Sequence, residues 1–227
     1  MVDFIDIITD CSLFTNYKKS DIQNFLLGAE YKIGHYGKNE FIFRMDQPIN
    51  YIGIILKGSV EMQKIFQSGK ILNLIYKEQG ELFAEGAIFS SIPTYPCQVI
   101  SREKTEILLI PKQQLILALY SNKILLANFL SLLSDKLVML NRKIELLAYC
   151  SIQSKIAFSL LHCVSTDKNA NIIELPYTKK TWAEHLNVSR PSLCRELTNL
   201  CRANVIQMDN RTITILERSK IEKMLNE

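Results

Sequence analysis

Apolar positions along the 227-residue chain change their period twice. Over residues 1–30 they recur at helical spacing, and Asp21 is placed to cap a short helix carrying Ile22, Phe25 and Leu26. Over roughly residues 31–110 short β-type runs take over: Glu40–Phe43, Tyr51–Leu56, Val60–Phe66, Ile71–Tyr76 and Ile107–Ile110. Turn residues separate them, as in Lys57-Gly58-Ser59, Ser68-Gly69-Lys70 and Glu78-Gln79-Gly80. Many short strands at regular spacing predict a barrel or a sandwich, not a doubly wound sheet.

The period then becomes helical again. Residues 121–148 contain neither Gly nor Pro, and Leu126, Leu130, Leu133, Leu137, Leu140, Ile144 and Leu147 follow one another at alternating spacings of four and three. That is an a/d seam of the kind that zips two helices together, so these seven residues are the expected dimerisation face. A second stripe, Leu125, Phe129 and Leu132, covers only the first half and can pack on the strands. An ordinary core helix without a partner is the alternative, but the regularity exceeds what one-sided packing needs.

A third region is helical over residues 152–164, turns over 167–171, and runs as a short strand over 172–175 until Pro176 stops it. Thr178 then caps an amphipathic helix in which Trp182, Ala183 and Leu186 share a face. Asn187 tolerates the left-handed backbone that ends a helix, and Ser189 caps a second one with Pro191 in its first turn, where the missing N–H costs nothing. Leu193, Leu197 and Leu200 form the buried stripe of that second helix, leaving Arg190, Ser192, Arg195, Glu196 and Asn199 outward. Val205–Met208 and Thr212–Leu216, joined through Asp209-Asn210-Arg211, read as a hairpin wing, and Ser219 can cap a last short helix.

Two helices with such a turn, followed by a hairpin, predict a winged helix-turn-helix whose second helix enters the major groove of double-stranded DNA by its N-terminal residues. Arginine offers a bidentate fork to guanine, serine can bond a base or a phosphate, and a helix N-terminus favours phosphate oxygens. The candidate DNA contacts are Thr178, Lys179, Ser189, Arg190, Pro191, Ser192, Arg195, Asn199 and, at the wing tip, Arg211. Charge agrees: of the net +4, +3 falls after residue 149, where 11 Lys+Arg face 8 Asp+Glu.

No nucleophile elbow, P-loop, dinucleotide glycine fingerprint or zinc-spaced histidine pair is present, so nothing points to an enzyme. The six cysteines, Cys11, Cys97, Cys150, Cys163, Cys194 and Cys201, include no C-x-x-C pair and no metal spacing. With no signal-like N-terminus and no apolar run read as a membrane span, the expectation is a cytoplasmic protein with reduced thiols. His35 lies in an expected turn, Gly34-His35-Tyr36-Gly37, and could ligate haem iron, although an exposed loop histidine is the plainer reading. His162 is expected to be partly buried, and His185 to lie at the surface or on a phosphate. Cys97 could sense redox or nitrosation; a buried cysteine more often serves as a small hydrophobe.

Leu56-Lys57-Gly58-Ser59-Val60, Gly80-Glu81-Leu82-Phe83 and Asn187-Val188-Ser189-Arg190-Pro191-Ser192-Leu193-Cys194-Arg195-Glu196-Leu197 resemble the cyclic AMP receptor protein/fumarate–nitrate regulator (CRP/FNR) superfamily over nearly the whole length. The resemblance implies an α+β chain with three parts. A sensor β-barrel of the cyclic-nucleotide-binding, jelly-roll type occupies 1–120, a dimerisation helix 121–149 and the winged helix-turn-helix 150–227. It also implies a homodimer on a palindromic operator, with RNA polymerase as a further partner. In the family the residues matching Arg190 and Arg195 contact DNA, whereas a glutamate often stands where this chain has Pro191, so the half-site is expected to differ.

In cyclic-nucleotide-binding members an Arg-Ser or Arg-Thr pair holds the cyclic phosphate. The matching stretch here, Ile92–Val99, has no arginine, and Arg102 lies further along the strand. A buried anion without a cation is costly, so no cyclic AMP binding of the standard kind is expected. Phe83, Ala84, Glu85, Thr94, Tyr95 and Cys97 are the candidate effector residues. The lone N-terminal Cys11 does not supply the clustered cysteines of the oxygen-sensing branch. Leu82–Phe89 with Tyr95-Pro96 is similar to regulators of nitrosative-stress genes encoding the hybrid cluster protein, which implies a nitric oxide signal with haem as the cofactor.

Overall fold

The computed structural model describes residues 4–66, 68–164 and 171–225, with the backbone alone for Cys163 and Val164. The chain folds as two compact units, Met1–Asp135 and Lys136–Glu227. The expected turn at 167–170 and the Cys163 side chain lie outside the described residues.

The first unit opens with α1 (Ile5–Thr9), a 3-10 turn (Ser12–Phe14) and α2 (Lys19–Gly28). Ile5, Ile8, Leu13, Phe14, Ile22 and Leu26 bury these elements against the sheets. Lys18, not Asp21, holds the cap position of α2; Asp21 lies inside the first turn, where its charge still suits the helix N-terminus.

Eight strands follow: β1 (Lys32–Tyr36), β2 (Phe41–Phe43), β3 (Tyr51–Lys57), β4 (Ser59–Ile65), β5 (Ile71–Glu78), β6 (Leu82–Phe83), β7 (Gln98–Ser101) and β8 (Thr105–Pro111). They form two antiparallel four-stranded sheets, ordered β1-β8-β3-β6 and β2-β7-β4-β5, so the barrel is a jelly-roll-like sandwich and not a closed cylinder. Val60, Val99, Ile52, Ile54, Ile107 and Leu108 fill it. His35 stands in β1 opposite Glu106, not in a turn: pairing with β8 draws Gly34-His35-Tyr36 into extended backbone. Gly53 is required where it stands, because a Cβ there would meet the Phe83 ring at 2.2 Å. Gly58, at φ +83, makes the tight β3–β4 turn.

The helix expected without interruption from Ser121 is broken one residue later. Ser121 closes α3 (Lys112–Ser121), and Asn122 starts α4 (Lys123–Ala148) by accepting the N–H groups of Ile124 and Leu125 at 3.0 and 3.2 Å through Oδ1. Asn128 then donates to the carbonyls of Leu13 and Thr15, fixing the first half of α4 to the N-terminal segment. At 26 residues α4 is long and apolar enough to cross a membrane by length and composition, which corrects the reading that no run is. Its interior also carries Asp135, Lys136, Arg142, Lys143 and Glu145, which a lipid-facing helix excludes at a price of a few kcal/mol each, roughly.

The second unit contains α5 (Ile152–Phe158), a π-helical turn (Ser159–Val164), β9 (Ile172–Glu174), α6 (Lys179–Leu186), α7 (Arg190–Arg202), β10 (Ile206–Asp209), β11 (Thr212–Ile215) and α8 (Arg218–Lys223). The three strands pair antiparallel in the order β10-β11-β9. Leu146, Ile156, Phe158, Trp182, Leu186, Leu193, Leu197 and Leu200 share its core. Trp182 donates from Nε1 to the buried Ser159 hydroxyl at 2.9 Å, so the largest core side chain leaves no orphaned donor. Glu217, not Ser219, is the cap residue of α8.

Candidate nucleic-acid interface and sensor site

Both helices of the reading motif start on hydroxyl caps. Thr178 accepts the Thr181 N–H at 3.3 Å, and Ser189 accepts the Ser192 N–H at 3.2 Å. Asn187 takes the left-handed conformation, φ 55, that turns the chain between them. Leu193, Leu197 and Leu200 are buried, which directs the other faces of α7 to water. Arg190, Pro191, Arg195 and Asn199 are exposed at its N-terminal and central turns, as are Ser189 and Thr178; Lys179 and Ser192 are half-buried. The Ser192 hydroxyl accepts from Ser189 at 2.8 Å and keeps its own proton to give away. Arg211 is exposed in the β10–β11 turn beside Asn210, whose φ of 53 makes the tight wing tip.

One residue placed outward by the sequence pattern is tied down instead. Glu196 is half-buried and accepts from the Gln153 amide of α5 at 3.1 Å, so its carboxylate braces the recognition helix against its neighbour. His162, expected to be partly buried, is exposed and lies against Phe158 with ring centroids 5.2 Å apart. His185 is exposed and meets Tyr177 edge to face at 4.8 Å.

Most seam residues of α4 are bare in the single chain. Leu130, Leu137, Leu140 and Ile144 are 53%, 60%, 55% and 66% exposed, and Leu126 and Leu147 are exposed too, with Leu133 half-buried. Leu125 and Phe129 on the other face are buried in the first unit. So large a bare apolar stripe is unusual on a protein surface in water.

Around the candidate effector residues the sandwich is filled with aromatic rings. Tyr95 stacks on Phe43 at 4.3 Å with planes 6° apart, and Phe43 meets Phe83 at 5.5 Å. The Tyr95 hydroxyl donates to the Tyr51 carbonyl at 2.9 Å and accepts the Tyr51 N–H at 3.1 Å. Ala84, at φ 65, and Glu85 are buried just after β6; Thr94 is half-buried and bridges to Pro48. Cys97 is buried, and burial pushes its thiol up despite the opposing pull of Lys64. Arg102 is engaged elsewhere: its Nε lies 3.7 Å from Glu61 and its guanidinium covers the Tyr76 ring at 4.6 Å.

Haem held in this sandwich would call for an axial ligand, most simply histidine. His35 is exposed on β1, 3.9 Å from Glu106, and His162 and His185 belong to the second unit. The Tyr95 hydroxyl is engaged twice by backbone, and the Cys97 thiol is kept protonated by burial. The candidate effector residues therefore do not fit haem ligated by histidine.

Residues 33–122 match the cyclic nucleotide-binding domain family, and residues 154–224 match the Crp-like helix-turn-helix domain family. Over 185 residues the chain is 24% identical to the "Anaerobic regulatory protein" of Bacillus subtilis (strain 168), spanning 80% of this chain and 78% of that protein. Its fold is similar to that of the catabolite activator protein of Thermus thermophilus, at TM-score 0.56 and 18% identity, over 95% of this chain and 98% of the other. It is also similar to DNR from Pseudomonas aeruginosa, at TM-score 0.52 and 21% identity, over 96% of each chain.

Proposed function

The chain belongs to the CRP/FNR superfamily of transcription regulators, which join a sensor domain to a DNA-binding helix-turn-helix and are not enzymes, and from that premise we propose how this member works. It acts in the cytoplasm as a homodimer, zipped through Leu126, Leu130, Leu133, Leu137, Leu140, Ile144 and Leu147. Each protomer lays α7 into one half-site of a palindromic operator, the half-sites lying about one DNA turn, roughly 34–36 Å, apart. Arg190 and Arg195 read base edges, while Thr178, Lys179, Ser189, Ser192, Asn199 and the wing's Arg211 hold phosphates or neighbouring bases. RNA polymerase is the further partner of the bound dimer. The observation that carries this reading is the division of α7 into a buried leucine stripe and an exposed, serine-capped arginine face.

The signal is something other than a cyclic nucleotide. In place of an anion-binding arginine the effector region offers Phe83, Tyr95 and Cys97, with Arg102 already engaged by Glu61. The likeness of residues 82–89 to regulators of nitrosative-stress genes favours nitric oxide or a redox change. An effector bound there alters how the two seams pack, and the altered seam sets the spacing of the two reading helices.

A duplex enriched from a random pool with the full-length protein tests the reading directly. The enriched sequence is expected to be palindromic and to bind with strong salt dependence. Arg190→Ala and Arg195→Ala should each cost about 1–3 kcal/mol on that duplex and far less on a scrambled one. Binding that ignores sequence, or that both variants keep in full, would instead favour a winged helix that contacts proteins.

A further inference from the structure

The last turns of α4 carry two separate faces. Leu140, Ile144 and Leu147 form the exposed seam. Beside it, Lys143 and Leu146 contact the reading motif. Leu146 is buried in the same core as Trp182 and Leu186 of α6, and Tyr149 just beyond meets Phe158 at 5.4 Å. Lys143 reaches the end of α6 and donates from Nζ to the His185 carbonyl.

That carbonyl belongs to the negative end of a helix. The final carbonyls of an α-helix have no partner within it, and a cation is stabilised there. In α6 the chain itself supplies two of the donors: Asn187 N–H bonds the Glu184 carbonyl at 3.1 Å, and Val188 N–H bonds the Ala183 carbonyl at 3.0 Å. The His185 carbonyl is instead closed by a side chain from α4. The turn that fixes the angle between α6 and α7 follows directly, at Asn187 and Val188.

We infer that Lys143 is a positioning residue for DNA reading: by capping the C-terminus of α6 it locks the reading motif to the seam helix, so that α4 and the motif turn as one body. The inference rests on the proposal that the chain reads DNA as a seam-zipped dimer and adds which residue transmits the seam's state. Heptad arithmetic alone places Lys143 beside the seam, as a charge flanking the partner helix; its contact with α6 is what the heptad pattern does not show.

The test uses the full-length chain, the duplex enriched from a random pool with the wild-type protein, and a scrambled duplex of equal length. Lys143→Met is expected to keep the dimer mass in sedimentation while its preference for the enriched over the scrambled duplex falls at least about fivefold, the lower end of ordinary coupling between sites. Lys143→Arg, which keeps a charged donor, is expected to restore most of that preference. An unchanged preference overturns the inference. So does an equal loss on both duplexes with a salt slope smaller by about one, the mark of a simple phosphate contact. Should Lys143→Met fail to fold, Lys143→Gln, an uncharged donor, is measured by the same criteria. A pool that enriches no sequence removes the DNA-reading proposal itself, and the inference with it.

Discussion

His185 sits where a helix end, a lysine and an aromatic ring meet, and its ionisation is set by burial and by its charged neighbours. Desolvation lowers its pKa below the ordinary 6.5, the nearby Lys143 charge lowers it further, and Glu184 opposes both. The unfolded chain therefore takes up this proton at a higher pH than the folded chain does. Protonation favours unfolding, so the stability that neutral His185 contributes is complete above about pH 6.5 and is lost as pH falls below it, toward the folded value. The thermal midpoint of the wild type should drop more between about pH 7 and about pH 5 than that of His185→Gln; equal drops would show that this imidazole does not titrate differently on folding. The thiols behave in the opposite sense. Burial raises Cys97 and carries Cys11 to about 11, so both thiols are held protonated at neutral pH.

Among the elements, α4 is the one whose sequence pattern and surface agree most closely. Every seam position but Leu133 is exposed in the single chain, while Leu125 and Phe129 are buried, so the two stripes written in the sequence are two faces of one helix. Leu133→Asp together with Leu140→Asp should place charges inside the proposed seam and give monomers by sedimentation, with specific DNA binding lost; monomers that bind the enriched duplex with full affinity would refute the dimer mechanism. Caps at Thr178 and Ser189 and the left-handed Asn187 were legible because side-chain chemistry alone dictates them. The break at Asn122 was not, since neither Gly nor Pro marks it and the capping amide looks like any other helix residue. Nor was β1, where Gly34-His35-Tyr36-Gly37 has turn composition and only the distant β8 makes it a strand. Lys143 and Glu196 escaped for the same reason: their partners, His185 and Gln153, lie about forty residues away in sequence.

For the whole molecule, the sensor's chemistry is the part least determined by pattern. A barrel or sandwich was foreseeable from short strands at regular spacing, but β6 and β7 are too short to announce themselves, and the aromatic stack of Phe43 and Tyr95 joins segments far apart in the chain. Titration calorimetry of the full-length protein with cyclic AMP should show no tight binding, and added haem should leave no protein-bound Soret band of a histidine-ligated type. Tight cyclic AMP binding would mean that Arg102 leaves Glu61 to serve an anion.

The boundary between the two compact units falls inside α4, after Asp135, so residues of one helix belong to both. A helix advances about 100° per residue. One residue inserted at that boundary would swing the second half of the leucine stripe out of line with the first, leaving neither half able to mesh along its full length. Seven inserted residues would bring the stripe back into phase and lengthen the shaft by about 10 Å. If the proposed seam zips two chains, insertions at that boundary are tolerated only in whole heptads, which dimer mass by sedimentation of one- and seven-residue insertion variants would check.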